Sequence, residues 1–412
     1  MRIDIFCEHY PSPVKPYFDC QFEQFLAAGH TLRIFALGRH RGAIDPKVAA
    51  LGLDAMVRYA PATLGGLPSI AGQVASQAVR HPLLTVGRAV SAARHAAGLK
   101  AAVLNAGRAA MLPADPPDLC FVHALTAAVH FGFVRRIHRG VPVAFYYHGG
   151  EVAGVRPISD AEARRAFLSA DVVFTNTENS RQHAIGRGCP PERILVSPVG
   201  FSLSEFRPAA RRPYRAGGVF NVLSIGRLSD EKGFAHAIDA VAALKARRVG
   251  PFRYRLIGGG PLERDLRARV TELGLDDTVE FLGQVGRDAL YDALTTADAL
   301  VLPSVVWGTW QENQACVLQE AMLMKTPAIG TRTGGVPESV SPELTPYLVP
   351  PGDAVALADS LQRMMALPEA ALADLGDRSR AFAERTYDIV RLNQQVLQAI
   401  ASRTSTHPPS RS

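Results

Sequence analysis

Residues 301–338 read VLPSVVWGTWQENQACVLQEAMLMKTPAIGTRTGGVPE, and the reading of this stretch decides the fold. It continues an apolar run, Ala299-Leu300-Val301-Leu302, that Pro303-Ser304 stops. A short apolar run closed by such a breaker predicts a buried parallel strand ending in a loop. From about Gln314 to Lys325, Ala315, Leu318, Ala321 and Met322 recur on one face at helical spacing, which predicts a helix. Pro327-Ala328-Ile329 predicts a second short strand, and Gly334-Gly335-Val336-Pro337 a turn.

Two carboxylates, Glu312 and Glu320, bracket the step from loop to helix. Eight residues of helix rise roughly 12 Å, about the span from the hexose to the ribose of a nucleotide sugar. Between them lie the backbone N–H groups of Asn313, Gln314, Ala315, Cys316 and Val317. At a helix N-terminus such groups are unpaired, and the dipole favours an anion there. Carboxylates accept from paired hydroxyls, and amides donate to phosphates. The alternative is a surface helix carrying two solvated glutamates.

Glu-x7-Glu followed by Ala321-Met322, Pro327, Ile329 and Gly334-Gly335-Val336-Pro337-Glu338 resembles the retaining GT-B glycosyltransferases of family 4, the glycosyl transferases group 1. The resemblance implies an α/β chain of two Rossmann-like, doubly wound parallel-sheet domains facing a cleft. It implies an acceptor domain over residues 1–205, a linker at 206–218 and a donor domain at 219–385. A helix at 386–403 would cross back to the first domain, ahead of a disordered tail at 404–412. Glu312 would position the donor sugar and Glu320 would hold the ribose.

The rest of the chain extends this reading. Ile3-Asp4-Ile5-Phe6, a helix from about Tyr17 to Ala28, and Thr31 to Ala36 form a β-α-β unit, hence a parallel sheet. The intervening loop carries Lys15, a candidate point charge for a phosphate or a solvated lysine. The strand Val141 to Tyr147 ends in His148-Gly149-Gly150-Glu151, similar to the family's His-Gly-x-Asp with Glu151 in place of Asp. The resemblance implies that His148 orients the donor hexose. Gly226-Arg227-Leu228 with Lys232-Gly233 resembles the family's Gly-Arg-Leu…Lys-Gly. A guanidinium fork and a movable ammonium suit a departing diphosphate. Gly259 and Gly260 end one strand and Gly283 another, and glycine lets backbone approach a ligand closely. The resemblance implies that these turns border the nucleoside. Ser304 stands eight residues before Glu312 across Val-Val-Trp-Gly-Thr-Trp-Gln, a longer loop that resembles the exopolysaccharide and colanic-acid branch. Trp307 and Trp310 either stack on a sugar or pack this loop. One helix is expected from about Ala370 to Ser402.

Composition narrows the partners. The net charge of +7 calls for an anionic one: phosphate-bearing small molecules, a membrane surface or nucleic acid. No nucleic-acid motif is present, so that partner is not expected. Residues 55–114 contain no acid, while Arg58, Arg80, Arg88, Arg94, Lys100 and Arg108 lie among small apolar residues. Leu83, Val86, Val90 and Ala93 share one helical face. Either this basic helix lies on an anionic membrane surface or it packs with a solvated basic face. Five scattered cysteines predict reduced thiols and no zinc site. No apolar run long enough to span a membrane and no signal-peptide layout is seen, which predicts a cytoplasmic protein, peripheral on the membrane at most.

No Asp-x-Asp motif occurs, so no metal or other cofactor is expected. Arg227, Lys232 and helix amides would neutralise the diphosphate. The expected reaction moves a sugar from a nucleotide-diphosphate donor to a glycan or lipid-linked acceptor. A nucleotide-sugar epimerase of the same fold and a non-catalytic nucleotide-sugar binder are the rival classes.

Overall fold

The computed structural model describes the chain except residues 13–15, 40–44, 95, 97, 150–156, 208–211 and 406–412. Lys15, Gly150, Glu151, the middle of the expected linker and most of the expected tail therefore lie outside the described residues. The chain forms two compact units. One comprises residues 1–200 and 389–412, the other Phe201–Asp388.

The first unit is built on seven strands: β1 (Arg2–His9), β2 (Thr31–Gly38), β3 (Val57–Tyr59), β4 (Leu119–His123), β5 (Val143–Tyr147), β6 (Val172–Thr175) and β7 (Ile194–Val196). All pairs are parallel, in the order β3-β2-β1-β4-β5-β6-β7. Every residue of β4 and β5 is buried, as expected when helices cover both faces. Fully buried Asp4 is tolerated because Arg33, opposite it on β2, donates to both carboxylate oxygens at 2.6 and 2.9 Å. The second unit has β8 (Phe220–Ile225), β9 (Phe252–Ile257), β10 (Val279–Gly283), β11 (Ala299–Leu302) and β12 (Ala328–Gly330), parallel in the order β10-β9-β8-β11-β12. The winding direction reverses between β1 and β4 in the first sheet and between β8 and β11 in the second. Beyond the carboxyl ends of strands at such reversals, open α/β sheets bind their ligands.

Three expectations change. The C-terminal helix is two helices, Glu369–Tyr387 and Ile389–Ser405, parted by extended Asp388. Phe201 donates its N–H to the Tyr387 carbonyl at 2.8 Å and pairs with Asp388, which ends the first helix. The second helix belongs to the first unit, where Gln21 Nε2 donates to Asn393 Oδ1 at 3.0 Å. A Cβ on Gly200 would meet Ile389 Cα at 2.7 Å, so only glycine fits there. Where it is described, the expected linker is packed structure. Phe206 and Tyr214 are buried in the second unit's core, and the Arg215 guanidinium donates to the carbonyls of Met365 and Leu367. Two buried aromatics outweigh the loop-like composition around them.

The third change concerns the basic stretch. It folds as helices Ala71–Arg80, Pro82–Ala93 and Leu99–Ala110. The side of the middle helix that faces inward is Thr85, Arg88 and Ala92, not the aliphatic stripe. Arg88 is buried and donates to the carbonyls of Leu112, Pro113 and Ala114 at 3.2, 2.7 and 3.2 Å. It satisfies an irregular turn whose carbonyls have no helix or strand partner. Leu83 is instead 90% exposed and Val86 62%. The packed-helix reading with a solvated Arg88 is thus overturned, and Arg88 is unavailable to a membrane. Among the described residues no helix is long and apolar enough to cross one.

Candidate active site

The second sheet reverses between β8 and β11, and the loops that follow these two strands carry the expected residues. After β8 the chain turns through Gly226 to Gly233. Buried Glu231 anchors this turn by accepting from Arg227 Nη2 at 2.5 Å and Ser229 Oγ at 2.7 Å. Burial pushes the Glu231 carboxyl up, but the bonds from Arg227 and Ser229 outweigh it and hold the group below its ordinary value. The Glu231 carbonyl also accepts from Val305 N–H at 3.0 Å, which ties the loop after β8 to the loop after β11. Gly233, at φ 66°, closes the same contact; a Cβ there would lie 2.1 Å from the Pro303 oxygen. Arg227 is half-exposed beyond its anchor.

Lys232 and Glu312 meet. Lys232 Nζ donates to Glu312 Oε2 at 2.6 Å, and Ser304 Oγ donates to the same oxygen at 2.8 Å. Glu312 is only 8% exposed, so this pairing offsets the cost of burying its carboxylate. Lys232 Nζ also lies 5.2 Å from the centre of the Trp310 ring. Trp307 and Trp310 exchange backbone bonds at 3.1 and 2.9 Å. Trp310 therefore packs the loop against Lys232, while Trp307 stays about half-exposed. The turn at Gly334-Gly335 seats Glu312. Gly335 N–H donates to the Glu312 carbonyl at 2.9 Å, and a Cβ on Gly334 would sit 1.9 Å from that oxygen.

The helix beyond Glu312 is shorter than expected, Cys316–Leu323, with Ala315 at its cap. Asn313, Gln314 and Ala315 are irregular, so the helical rise between the two carboxylates covers only its second half. Committing the Glu312 carbonyl to Gly335 is what keeps the helix from starting earlier. Cys316 and Val317 occupy the first turn, where N–H groups lack internal partners. Glu320 is half-buried in this helix. Burial pushes its carboxyl up to about 7, against the pull of Arg287 and with a push from Glu205. Arg287 itself donates to Glu205 at 2.8 Å.

Of the glycines expected to border the nucleoside, Gly260 makes its close approach to the protein's own backbone, Gly259 to a side chain, and Gly283 has nothing within 4 Å of its Cβ position. A Cβ on Gly260 would lie 2.4 Å from the Leu228 oxygen, and one on Gly259 3.0 Å from Gln284 Nε2. The Gly259 carbonyl accepts from Leu228 N–H at 3.1 Å, and the Gly283 carbonyl from Gly258 N–H at 2.8 Å. Gly259 and Gly260 thus hold the Arg227 loop, while the Cβ position of Gly283 faces open space.

His148 belongs to the first unit, directly after β5. Its ring stacks on Tyr146 at 4.6 Å with 6° between planes, and its Nε2 lies 3.2 Å from His123 Nδ1. The sequence reading missed His123, which ends β4 and so lies at the neighbouring strand end. It also missed Glu231, whose signal was the i,i+4 spacing from Arg227. Ser304 was noted only for its unusual distance from Glu312. The structure thus joins Lys232, Glu312, Ser304 and Trp310 in one cluster. It ties Arg227 to Glu231 beside it and sets His148 with His123 in the other unit.

Residues 15–200 match the Glycosyl transferase 4-like domain, and residues 207–382 match the Glycosyl transferases group 1 family. The chain is 29% identical to WcaL of Escherichia coli (strain K12), named for glycosyl transfer in colanic acid biosynthesis, over 96% of this chain and 97% of that one. It is also 29% identical to the amylovoran biosynthesis glycosyltransferase AmsK of Erwinia amylovora, over 57% of this chain and 60% of that one. Among solved structures, Anabaena HepE in complex with UDP superposes with a TM-score of 0.71 at 20% identity, covering 98% of this chain and all of that one. Sucrose-phosphate synthase from Thermosynechococcus elongatus gives 0.65 at 20% identity, covering 99% and 100%. Two doubly wound parallel sheets, the loops after β8 and β11 and these matches agree: the chain belongs to the group 1 glycosyltransferases and has the GT-B fold.

Proposed function

We propose that this glycosyltransferase moves a sugar, with retention of configuration and without a metal, from a nucleotide-diphosphate sugar to a glycan or lipid-linked saccharide in exopolysaccharide synthesis. The observation that carries this reading is the Lys232–Glu312–Ser304 cluster, locked to the Arg227 loop through Glu231 and Val305 at the β8/β11 reversal. Arg227 and Lys232 meet the diphosphate and stabilise the charge that grows as the bond from C1 to the phosphate oxygen breaks. The first-turn amides at Cys316 and Val317 add to this. Glu312 positions the donor sugar, Glu320 accepts from the ribose hydroxyls, and His148 orients the hexose. The acceptor oxygen bonds to C1 on the face the diphosphate leaves, and its proton passes to the departing phosphate. HepE has been solved with UDP, with UDP and glucose, and with UDP-glucose, which favours a nucleotide sugar as donor here. The relatives named for colanic acid and amylovoran favour an exopolysaccharide product. Labelled nucleotide sugars incubated with the protein and extracted glycan acceptors test the reading. Transfer with the anomer retained, undiminished in excess EDTA, is expected; interconversion of the free nucleotide sugar, or an absolute need for added Mg²⁺ or Mn²⁺, would overturn it.

The raised Glu320 carboxyl makes nucleotide binding depend on pH. In the free protein the group is about half-protonated near its pKa of about 7. Ribose hydroxyls donate more strongly to the carboxylate than to the neutral acid, so binding lowers this pKa and releases a proton. Affinity should therefore rise with pH between about pH 6 and about pH 8 and level off above. Calorimetry in buffers of different ionisation enthalpy reads the released proton. Glu320→Gln should abolish both the release and the slope; an unchanged slope in that variant would remove Glu320 from the nucleotide site.

We extend the reading to an anionic membrane surface, where a lipid-linked acceptor would reside. Val79, Leu83, Val86, Val90, Leu99 and Val103 are exposed along the three helices of the basic stretch, and Arg80, Arg94 and Lys100 are exposed beside them. Aliphatic side chains in the interface and cations near anionic headgroups act together, each cation adding about 1 kcal/mol. Vesicles with anionic lipid should co-sediment the protein at low salt. Leu83→Gln with Val86→Gln should weaken this about as much as Arg80→Gln with Arg94→Gln. Equal sedimentation with neutral and anionic vesicles would rule it out.

A further inference from the structure

The first unit contains a cavity of about 480 Å³ walled by the helices Leu99–Ala110, Leu125–Phe131 and Asp160–Leu168. Arg108 lines it and is only 2% exposed. Its Nε donates to the Pro61 carbonyl at 2.9 Å and its Nη1 to Asn105 Oδ1 at 3.3 Å; the same nitrogen lies 3.3 Å from His130 Nδ1. Its Nη2 is buried with no partner, and among the described residues no carboxylate pairs with the guanidinium. Burial without a counter-charge pushes this group down to about 10. A buried cation held only by carbonyl, amide and imidazole is costly, because none of these returns the lost hydration of a full charge.

The surroundings add positive charge. Lys100 and Arg165 line the same cavity and are exposed to it. Glu162, the one carboxylate among its lining residues, already accepts from Ser159 N–H at 3.0 Å and Ser159 Oγ at 2.8 Å in the cap of its helix. A second cavity of about 220 Å³ shares Ala62, Val129 and His130 with the first. It continues to Glu8 and His9 at the end of β1, beside the β1/β4 reversal. Leu99, which is 83% exposed and belongs to the aliphatic strip, also lines the first cavity.

We propose that the Arg108 cavity is a subsite for an anionic group of the acceptor, phosphoryl or carboxylate, bound by Arg108 together with Lys100 and Arg165. The acceptor assignment rests on the transferase reading; the anion site itself does not. An acceptor so bound sends its neutral saccharide along the second cavity toward the end of β1. It leaves any apolar tail at Leu99, on the exposed strip.

Titration calorimetry of the full chain with pyrophosphate and, separately, with glucuronate tests the site and distinguishes the two anion sources. Wild type and the Arg227→Ala/Lys232→Ala variant should both bind one of the probes saturably. Lys100→Gln with Arg165→Gln, on exposed positions where folding is retained, should weaken that binding about tenfold or more. Arg108→Met should abolish it wherever that variant still folds. Binding that disappears with Arg227 and Lys232 but survives the loss of Lys100 and Arg165 would put the probe with the donor machinery. That result would overturn the subsite while leaving the transferase reading intact. No saturable binding of either probe to wild type would also overturn it. Failure of all sugar transfer alongside intact probe binding would instead remove the acceptor assignment and the transferase reading, and leave the anion site.

Discussion

Lys232→Ala is expected to lower turnover by about 2–4 kcal/mol of barrier, roughly 30- to 1,000-fold. The ammonium does two jobs. It supplies a charge for the leaving diphosphate, and at 2.6 Å it is the ionic partner that offsets the burial of Glu312 at 8% exposure. Removing it leaves Glu312 with the Ser304 hydroxyl as its one remaining donor among the described side-chain bonds. A carboxylate so placed loses its orientation and the ionic partner that offsets its burial. The two effects are separable by a double-mutant cycle. If Glu312 acts only while Lys232 holds it, adding Glu312→Gln to Lys232→Ala should cost little more than Lys232→Ala alone. Lys245→Ala is the control, since its pair with Asp277 is exposed on both sides and in the same unit. Exposed pairs contribute about 0–1 kcal/mol, and none of it touches the reaction. Arg227→Lys should also fall, because an ammonium cannot reproduce the fork that now spans Glu231 and the open side of the loop. Turnover of Lys232→Ala within about twofold of wild type would take the cluster out of the mechanism.

Much of the second unit could be read from local pattern. Val301 and Ile329 lie in adjacent parallel strands, and Ala321 and Met322 are buried on one helical face. Those features depend on residues close together in sequence. What was missed depends on partners far away. Arg227 and Glu231 at i,i+4 look like an ordinary surface pair until Val305, from the loop after β11, bonds the Glu231 carbonyl and buries it. The helix after Glu312 starts late for the same kind of reason, a bond to Gly335. The aliphatic stripe at Leu83, Val86 and Val90 had the right period but the wrong direction. Helical spacing says which residues share a face, and it does not say that a face of Thr85, Arg88 and Ala92 will be the one that packs. That choice was made by three carbonyls at 112–114 that needed donors. Glycine spacing was similarly ambiguous. It marks a close approach without naming what approaches, and at Gly258 and Gly260 the neighbour is the backbone of the protein's own loop after β8.

Gly258→Ala should therefore be among the most damaging single-methyl changes in the second unit. Gly258 directly follows β9 at φ 142°, a conformation essentially closed to other residues. Its added Cβ would lie 1.8 Å from the Gly226 oxygen and 2.9 Å from the Gly226 carbonyl carbon. Both atoms are backbone, so no rotamer change relieves the contact. Either β9 or the start of the Arg227 loop must shift. Backbone strain of about 1–3 kcal/mol plus an unrelieved clash sums to a loss of about 3 kcal/mol or more. The comparison is Gly274→Ala. Gly274 also has positive φ, at 62°, but nothing lies within 4 Å of its Cβ position, and it is in the same unit. Left-handed backbone alone costs about 1 kcal/mol. Urea denaturation of the two variants separates the conformational cost from the steric one. Nucleotide affinity then shows what the clash displaces. A shift carried by Gly226 moves Arg227 and, through Glu231 and Val305, the loop bearing Ser304 and Glu312. Gly258→Ala should thus weaken nucleotide binding well beyond Gly274→Ala even at temperatures where both are folded. Similar stability losses in the two variants, with nucleotide affinity unchanged in both, would mean that the contact between the ends of β8 and β9 does not hold the site.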